Sequence, residues 1–296
     1  MSTLDQAFIR AYQKRRVIPA PHVAFPPASE TLDVRPAPPS RLAPVAIEQA
    51  KPPENSVSTA APAAISPAAL PQLKAVRAAL EVEQFDWPET VEALRSSSDY
   101  FAAWGEQFSG ERSFTILTAS GARGVGRTTA LLAAARHLSL SRPAAKIALV
   151  DADFRRPQLS SRLGVAVEIG WEDVFSGEQP LAEALVESNA DRVTLLPLRG
   201  ELEVSQFFAC AGRLGESLHA LQQSFDFVCI DAGPLTEASD AVERELLGRA
   251  AKIDAALVVR DMRQAGDADN SAIGRRLAEM GVWHWDLVEN FVQGRG

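Results

Sequence analysis

The chain has 296 residues, 46% of them hydrophobic, and a formal net charge of −8. That acidic surplus argues against a nucleic-acid backbone as the main partner, and two cysteines with four scattered histidines suggest neither a disulfide framework nor a metal cluster. No apolar run approaches the roughly 18 residues of a membrane span, and the first residues lack the apolar core of a signal peptide, so a soluble cytoplasmic chain is expected.

Residues 2–16 read as a short amphipathic helix with Leu4, Phe8, Ile9 and Tyr12 on one face and Arg10, Lys14, Arg15 and Arg16 towards its end. Such a helix is marginal alone in water, so it either docks on a partner or membrane surface or is a disordered terminus. Thirteen of the 19 prolines fall between Pro19 and Pro71, and residues 17–70 are expected to be a disordered Pro/Ala-rich linker. A single domain then spans 71–296. Helical patterns cover 71–83 and 89–107. Strands are predicted at Phe114–Ala119, Lys146–Asp151, Arg192–Pro197, Phe225–Asp231, Asp254–Arg260 and Trp283–Glu289. Helical patterns near 127–140, 203–223, 236–250 and 267–280 lie between most of them. Short apolar strands alternating with helices imply an α/β fold, a mostly parallel sheet with helices on both faces. Cys210 and Cys229 sit in apolar surroundings and read as buried, inert thiols.

Directly after the first of those strands comes Ser120-Gly121-Ala122-Arg123-Gly124-Val125-Gly126-Arg127-Thr128-Thr129, followed by a helical run. This is G-x-x-x-x-G-[basic]-T in the strand–loop–helix setting of a phosphate cradle. Gly121, Gly124 and Gly126 can adopt conformations closed to other residues and let backbone N–H groups face a polyphosphate. The helix N-terminus adds a favourable dipole, and Thr128 is placed to offer a hydroxyl to Mg²⁺. Arg127 stands where the pattern asks for lysine. Its planar fork does not replace a compact ammonium, and a misplacement of about 1 Å can cost on the order of 100-fold in rate.

Two strands end in acidic residues: Val150 runs into Asp151-Ala152-Asp153-Phe154-Arg155-Arg156-Pro157, and Ile230 into Asp231-Ala232-Gly233-Pro234. In a parallel sheet, ligands sit beyond the carboxyl ends of the strands. Those carboxylates therefore share an edge with the phosphate loop. Nucleotide-bound Mg²⁺ typically takes one or two carboxylates plus phosphate oxygens and water, while another carboxylate can orient or deprotonate an attacking hydroxyl. Nucleotide binding is the reading these residues support.

The segments Ala148–Pro157, Phe225–Pro234 and Gly170–Gly177 resemble motifs of the bacterial tyrosine kinases of capsular and exopolysaccharide synthesis, a family of P-loop ATPases. The resemblance implies a three-layer P-loop NTPase fold, with ATP and Mg²⁺ as cofactors. Asp151 and Asp153 would act on Mg²⁺ and the attacking group, Asp231 on Mg²⁺ through water, and Thr128 on Mg²⁺ directly. Arg127 would contact phosphates within a nucleotide-binding set of Gly121, Gly124, Val125, Gly126, Thr128 and Thr129, with Asn290 near the base. A membrane polysaccharide co-polymerase or activator, a homo-oligomer and a site peripheral to the inner membrane are implied as well. The chain departs from the pattern at Arg127, in a tail without tyrosine, and at Ser98, where the oligomerisation motif begun by Glu92 and Arg95 asks for arginine. Three readings stay open: an active kinase or ATPase, a catalytically impaired nucleotide-binding regulator, and a partitioning or positioning ATPase.

Overall fold

The computed structural model describes residues 76–97, 113–202, 204–235, 252–263 and 268–290. The helices expected over 2–16 and 236–250, the linker over 17–70, and residues 98–107 lie outside the described residues.

Among the described residues, eight strands form one sheet: β1 (Leu80–Val82), β2 (Phe114–Ser120), β3 (Ile147–Ala152), β4 (Val186–Ser188), β5 (Val193–Leu196), β6 (Phe227–Pro234), β7 (Ala255–Asp261) and β8 (Trp285–Asn290). Their order is β1-β4-β5-β3-β6-β2-β7-β8. Every neighbouring pair is parallel except β4 and β5. All six strands expected from the sequence are present, with ends shifted by up to three residues.

The central strands are buried on both faces, and their side chains alternate between two cores with the period of two that a strand imposes. Leu117, Ala148, Val150, Val228 and Ile230 enter one core with Leu214 and Leu218 of α6 (Val204–Ser224) and Ile273 and Leu277 of α7 (Ala268–Glu279). Ile116, Ile147, Leu149, Cys229 and Leu257 enter the other with α1 (Glu89–Ser97) and α2 (Arg127–Ser141). The result is the three-layer α/β architecture expected. Cys229 is fully buried and burial pushes its thiol up to about 12, so at this position the reading of an inert thiol holds.

Helix α2 is alanine-rich and buried almost all round, which suits a helix packed at once on the sheet and on α1. On its far side Arg136 pairs with Glu92 at 2.7 Å and with the buried Asp191 at 2.6 Å, and lies 5.1 Å over the Trp87 ring. Glu92 also pairs with Arg95 at 3.0 Å. Glu92 therefore does more than decorate a helix surface, because through Arg136 it ties α1 to α2.

Two elements differ from the sequence pattern. Residues 71–83 read as helical, yet Leu80–Val82 form an edge strand pairing with β4. The segment is short and largely exposed, so cross-strand hydrogen bonds from β4 outweigh a weak local helical preference. Strand β4 itself is three residues long, too short for periodicity to reveal. Its antiparallel run into β5 turns at Arg192, which adopts a φ of 56°, while the Asp191 carboxylate accepts hydrogen bonds from Ser188 Oγ and Phe85 N–H.

Three short helices lie between β3 and β4: α3 (Leu159–Arg162), α4 (Trp171–Ser176) and α5 (Leu181–Ala184). Helix α4 is closed at its start by Asp173 Oδ2, which accepts the Gly170 N–H at 2.8 Å, and at its end by Gly177 at a φ of 80°. A Cβ at Gly177 would also meet the Arg213 guanidinium. Gly177→Ala is expected to cost about 1–2 kcal/mol in stability, read from the urea midpoint. An unchanged midpoint would show that the turn carries no such requirement.

Candidate nucleotide site

Strand register assembles the site. Thr118 of β2, Asp231 of β6 and Asp151 of β3 lie side by side across three adjacent strands, and the loop 121–126 closes over their carboxyl ends. Gly124 and Gly126 adopt φ of 74° and 93°, the left-handed region in which glycine avoids the penalty of a Cβ. Helix α2 starts at once after Gly126. Its hydrogen bonding reaches back to Ala130 N–H on Gly126 O at 3.0 Å, so the N–H groups of Arg127, Thr128 and Thr129 belong to the first turn, which has no intrahelical acceptors. That turn suits an anion.

Arg127 is the centre of the arrangement. Its side chain folds inward rather than along the loop, and the residue is only 7% exposed. Nε donates to Asp231 Oδ1 at 2.8 Å, Nη2 to Asp153 Oδ2 at 2.6 Å, and Nη1 to Ser120 Oγ at 3.2 Å. Burial works against the guanidinium charge, but the facing Asp231 and Asp153 carboxylates more than offset it and hold its pKa above the ordinary value. A second guanidinium, Arg123, reaches both oxygens of Asp153 at 3.0 Å.

The remaining carboxylate capacity is also engaged. Asp231 Oδ2 accepts the Thr128 hydroxyl at 2.6 Å, and Oδ1 accepts Thr118 Oγ1 at 3.2 Å. Asp153 Oδ1 accepts the Arg156 N–H at 3.1 Å. Asp151 Oδ2 accepts the N–H groups of Gln158 and Leu159, each at 2.8 Å, and Oδ1 takes a long contact from Asp153 N–H at 3.4 Å. Asn290 lies at the end of β8, where its Nδ2 donates to Val125 O at 2.7 Å and so ties the loop to the sheet. Every residue predicted from the sequence thus lies on or beside this edge.

The Mg²⁺ set expected from the sequence was Thr128, Asp151 and Asp231. As arranged, these residues do not fit the ion. Both oxygens of each carboxylate already accept hydrogen bonds, and a guanidinium lies against Asp231. Among the described residues no group of three or more His, Cys, Asp or Glu side chains is placed to hold a metal. Thr118, Ser120 and Arg123 were given no role in the sequence reading. The signal for Thr118 is register alone, which a single strand does not carry, and Arg123 occupies an unrestricted position of the loop pattern, which marks no role for it.

Burial pushes the Asp151 carboxyl well above the usual carboxylate range, and the Asp231 charge adds to this, against opposing hydrogen bonds from the Leu159 and Gln158 N–H groups. A raised folded pKa means that the folded state holds the proton more tightly than the unfolded chain. The contribution of Asp151 is therefore full below the ordinary carboxylate value, near pH 4, and is lost as pH rises through the raised one. Measured in EDTA, the urea midpoint of the native chain relative to Asp151→Asn is expected to fall as pH rises from about 4 towards 8. A difference that stays flat across that range would refute it.

No family model matches the chain. The curated relative "Putative tyrosine-protein kinase AmsA" of Erwinia amylovora is 28% identical over 156 residues, which is 51% of this chain and 20% of that protein. The chain therefore matches about a fifth of the length of this relative. The kinase domain of the Escherichia coli tyrosine kinase ETK superposes with a TM-score of 0.55 at 21% identity, covering 70% of this chain and 76% of that one. The chain has the bacterial tyrosine-kinase fold. The VpsO kinase domain (TM-score 0.55, 20% identity, 69% of this chain and 94% of that one) and the BceF tyrosine kinase domain (0.51, 19%, 69% and 77%) share this fold. The resemblance to bacterial tyrosine kinases read from Ala148–Pro157 is upheld, as is the P-loop α/β class. No helix among the described residues is long and apolar enough to cross a membrane.

Proposed function

We propose that this chain is an ATP-binding regulator of polysaccharide synthesis or export, built on the tyrosine-kinase fold, in which phosphoryl transfer is suppressed. The observation that favours this over an active kinase or ATPase is the buried contact of Arg127 with both Asp153 and Asp231. Phosphoryl transfer depends on positioning and on charge placed at the transferring group. Here the loop cation is held in place by Asp153 and Asp231, and it occupies those acidic residues.

In this reading the backbone N–H groups of Gly121, Gly124, Val125, Gly126, Thr128 and Thr129 receive the ATP phosphates, and Asn290 steadies the loop through Val125. Asp151 and Asp153, the candidates to orient or deprotonate an attacking hydroxyl, are committed to Gln158, Leu159, Arg123 and Arg127. The proposed partner is a membrane polysaccharide co-polymerase or activator, met at the cytoplasmic face of the inner membrane. Oligomerisation through α1 is disfavoured because Glu92 is already held by Arg136 within the chain.

An active kinase is the second reading, favoured by the sequence likeness to AmsA and by the close grouping of three carboxylates at the loop. Calorimetry with ATP, together with phosphate release and transfer to tyrosine, separates the two. The expected result is binding with turnover at background, and a rise on the order of 100-fold in Arg127→Lys, since a compact ammonium can return to the phosphates. Turnover by the native chain within the ordinary kinase range of about 1–100 per second would overturn the regulatory reading. Absence of ATP binding would remove the nucleotide assignment itself.

A further inference from the structure

Resting on the nucleotide reading above, we infer that this site takes its polyphosphate free of divalent cation, with the Arg127 guanidinium standing where Mg²⁺ would otherwise bridge carboxylates and phosphate. Asp153 and Asp231 bring two negative charges into a buried edge, while Arg127 brings one positive charge to both carboxylates and Arg123 a second to Asp153. A divalent ion entering between Asp153 and Asp231 meets no surplus of negative charge from that pair, and the third carboxyl of the edge, Asp151, is turned to the Gln158 and Leu159 N–H groups. To bind, it must displace a guanidinium from a carboxylate that is 1% exposed at Asp231 and 3% at Asp153.

The donor inventory points the same way. A guanidinium carries five N–H donors. In Arg127, Nε serves Asp231, one Nη2 proton serves Asp153 and one Nη1 proton serves Ser120. One proton on each terminal nitrogen remains for phosphate oxygens, and arginine is well matched to bind phosphate in this forked manner. The side chain can thus neutralise phosphate charge without releasing either carboxylate. A lysine at the same position has a compact head of three donors and cannot span Asp231, Asp153 and Ser120 while also reaching a ligand.

The test is calorimetric titration of the full chain with ATP, once in excess EDTA and once in excess Mg²⁺. The expected result is binding in both, with dissociation constants within about twofold. Binding that is tenfold or more tighter with Mg²⁺ overturns this inference and leaves the nucleotide reading standing. No binding in either buffer overturns the nucleotide reading and this inference with it. Thermal unfolding without nucleotide gives a second readout, in which Mg²⁺ is expected to leave the native chain unshifted and to raise the melting temperature of Arg127→Lys, whose carboxylates are open to the ion. A Mg²⁺-induced rise in the native chain counts against the inference even where the variant does not fold.

Discussion

Asp231→Ala is expected to destabilise the fold by about 3–5 kcal/mol, the range for removing one partner of a buried ion pair. Asp231 is 1% exposed and accepts from Arg127, Thr128 and Thr118. Its loss leaves Asp153 as the one carboxylate paired with the buried Arg127 guanidinium, and leaves the Thr128 hydroxyl without its acceptor. The cost comes from the charge left behind rather than from the worth of the pair, because replacing both partners of a buried pair with apolar groups is often neutral or better. The double variant Asp231→Leu with Arg127→Met is therefore expected to recover most of the loss. Urea unfolding of the native chain and the two variants measures this directly. If Asp231→Ala costs less than about 1 kcal/mol, Arg127 does not rest on these carboxylates in solution, and the argument for suppressed transfer fails with it.

Trp171→Ala is expected to cost about 3–5 kcal/mol, the usual range for truncating a large buried aromatic. Trp171 is fully buried, with its ring centroid 4.7 Å from that of Phe175 and 5.8 Å from that of Phe154. Phe154 directly follows Asp153, so this cluster is the floor on which the acidic edge rests. The indole Nε1 is buried without a hydrogen-bond partner. That orphaned donor predicts an asymmetry: Trp171→Phe loses some packing but also removes an unsatisfied polar group, and is expected to cost no more than about half as much as alanine. Equal losses in the two variants, read from urea midpoints, would show that ring packing is not what holds this floor.

Some of this was legible residue by residue. The strand ending in Asp151 is an unbroken apolar run, and only burial on both faces rewards such a run, so a central parallel strand followed. The loop from Gly121 to Thr129 announced itself because glycine spacing between a strand and a helix is a local pattern. The edge strand β1 escaped notice because a three-residue segment has no period to read, and its pairing with β4 joins residues about a hundred positions apart. Glu92 looked like half of an exposed helical pair, yet its other oxygen is held by Arg136, 44 positions away.

The sequence by itself determined the kinds of groups available: a glycine-rich turn before a helix, acidic residues at strand ends, and an arginine where a lysine is the pattern. These follow from local composition and period, which the chain carries wherever it folds. Tertiary structure alone decided where the Arg127 charge goes. The register of β2, β6 and β3 sets Thr118, Asp231 and Asp151 in one row, and Arg127 turns to Asp231, 104 positions away, rather than along its own loop. The physical reason is burial: a charge removed from water must take whatever opposite charge lies within reach, and only the assembled sheet determines which one that is.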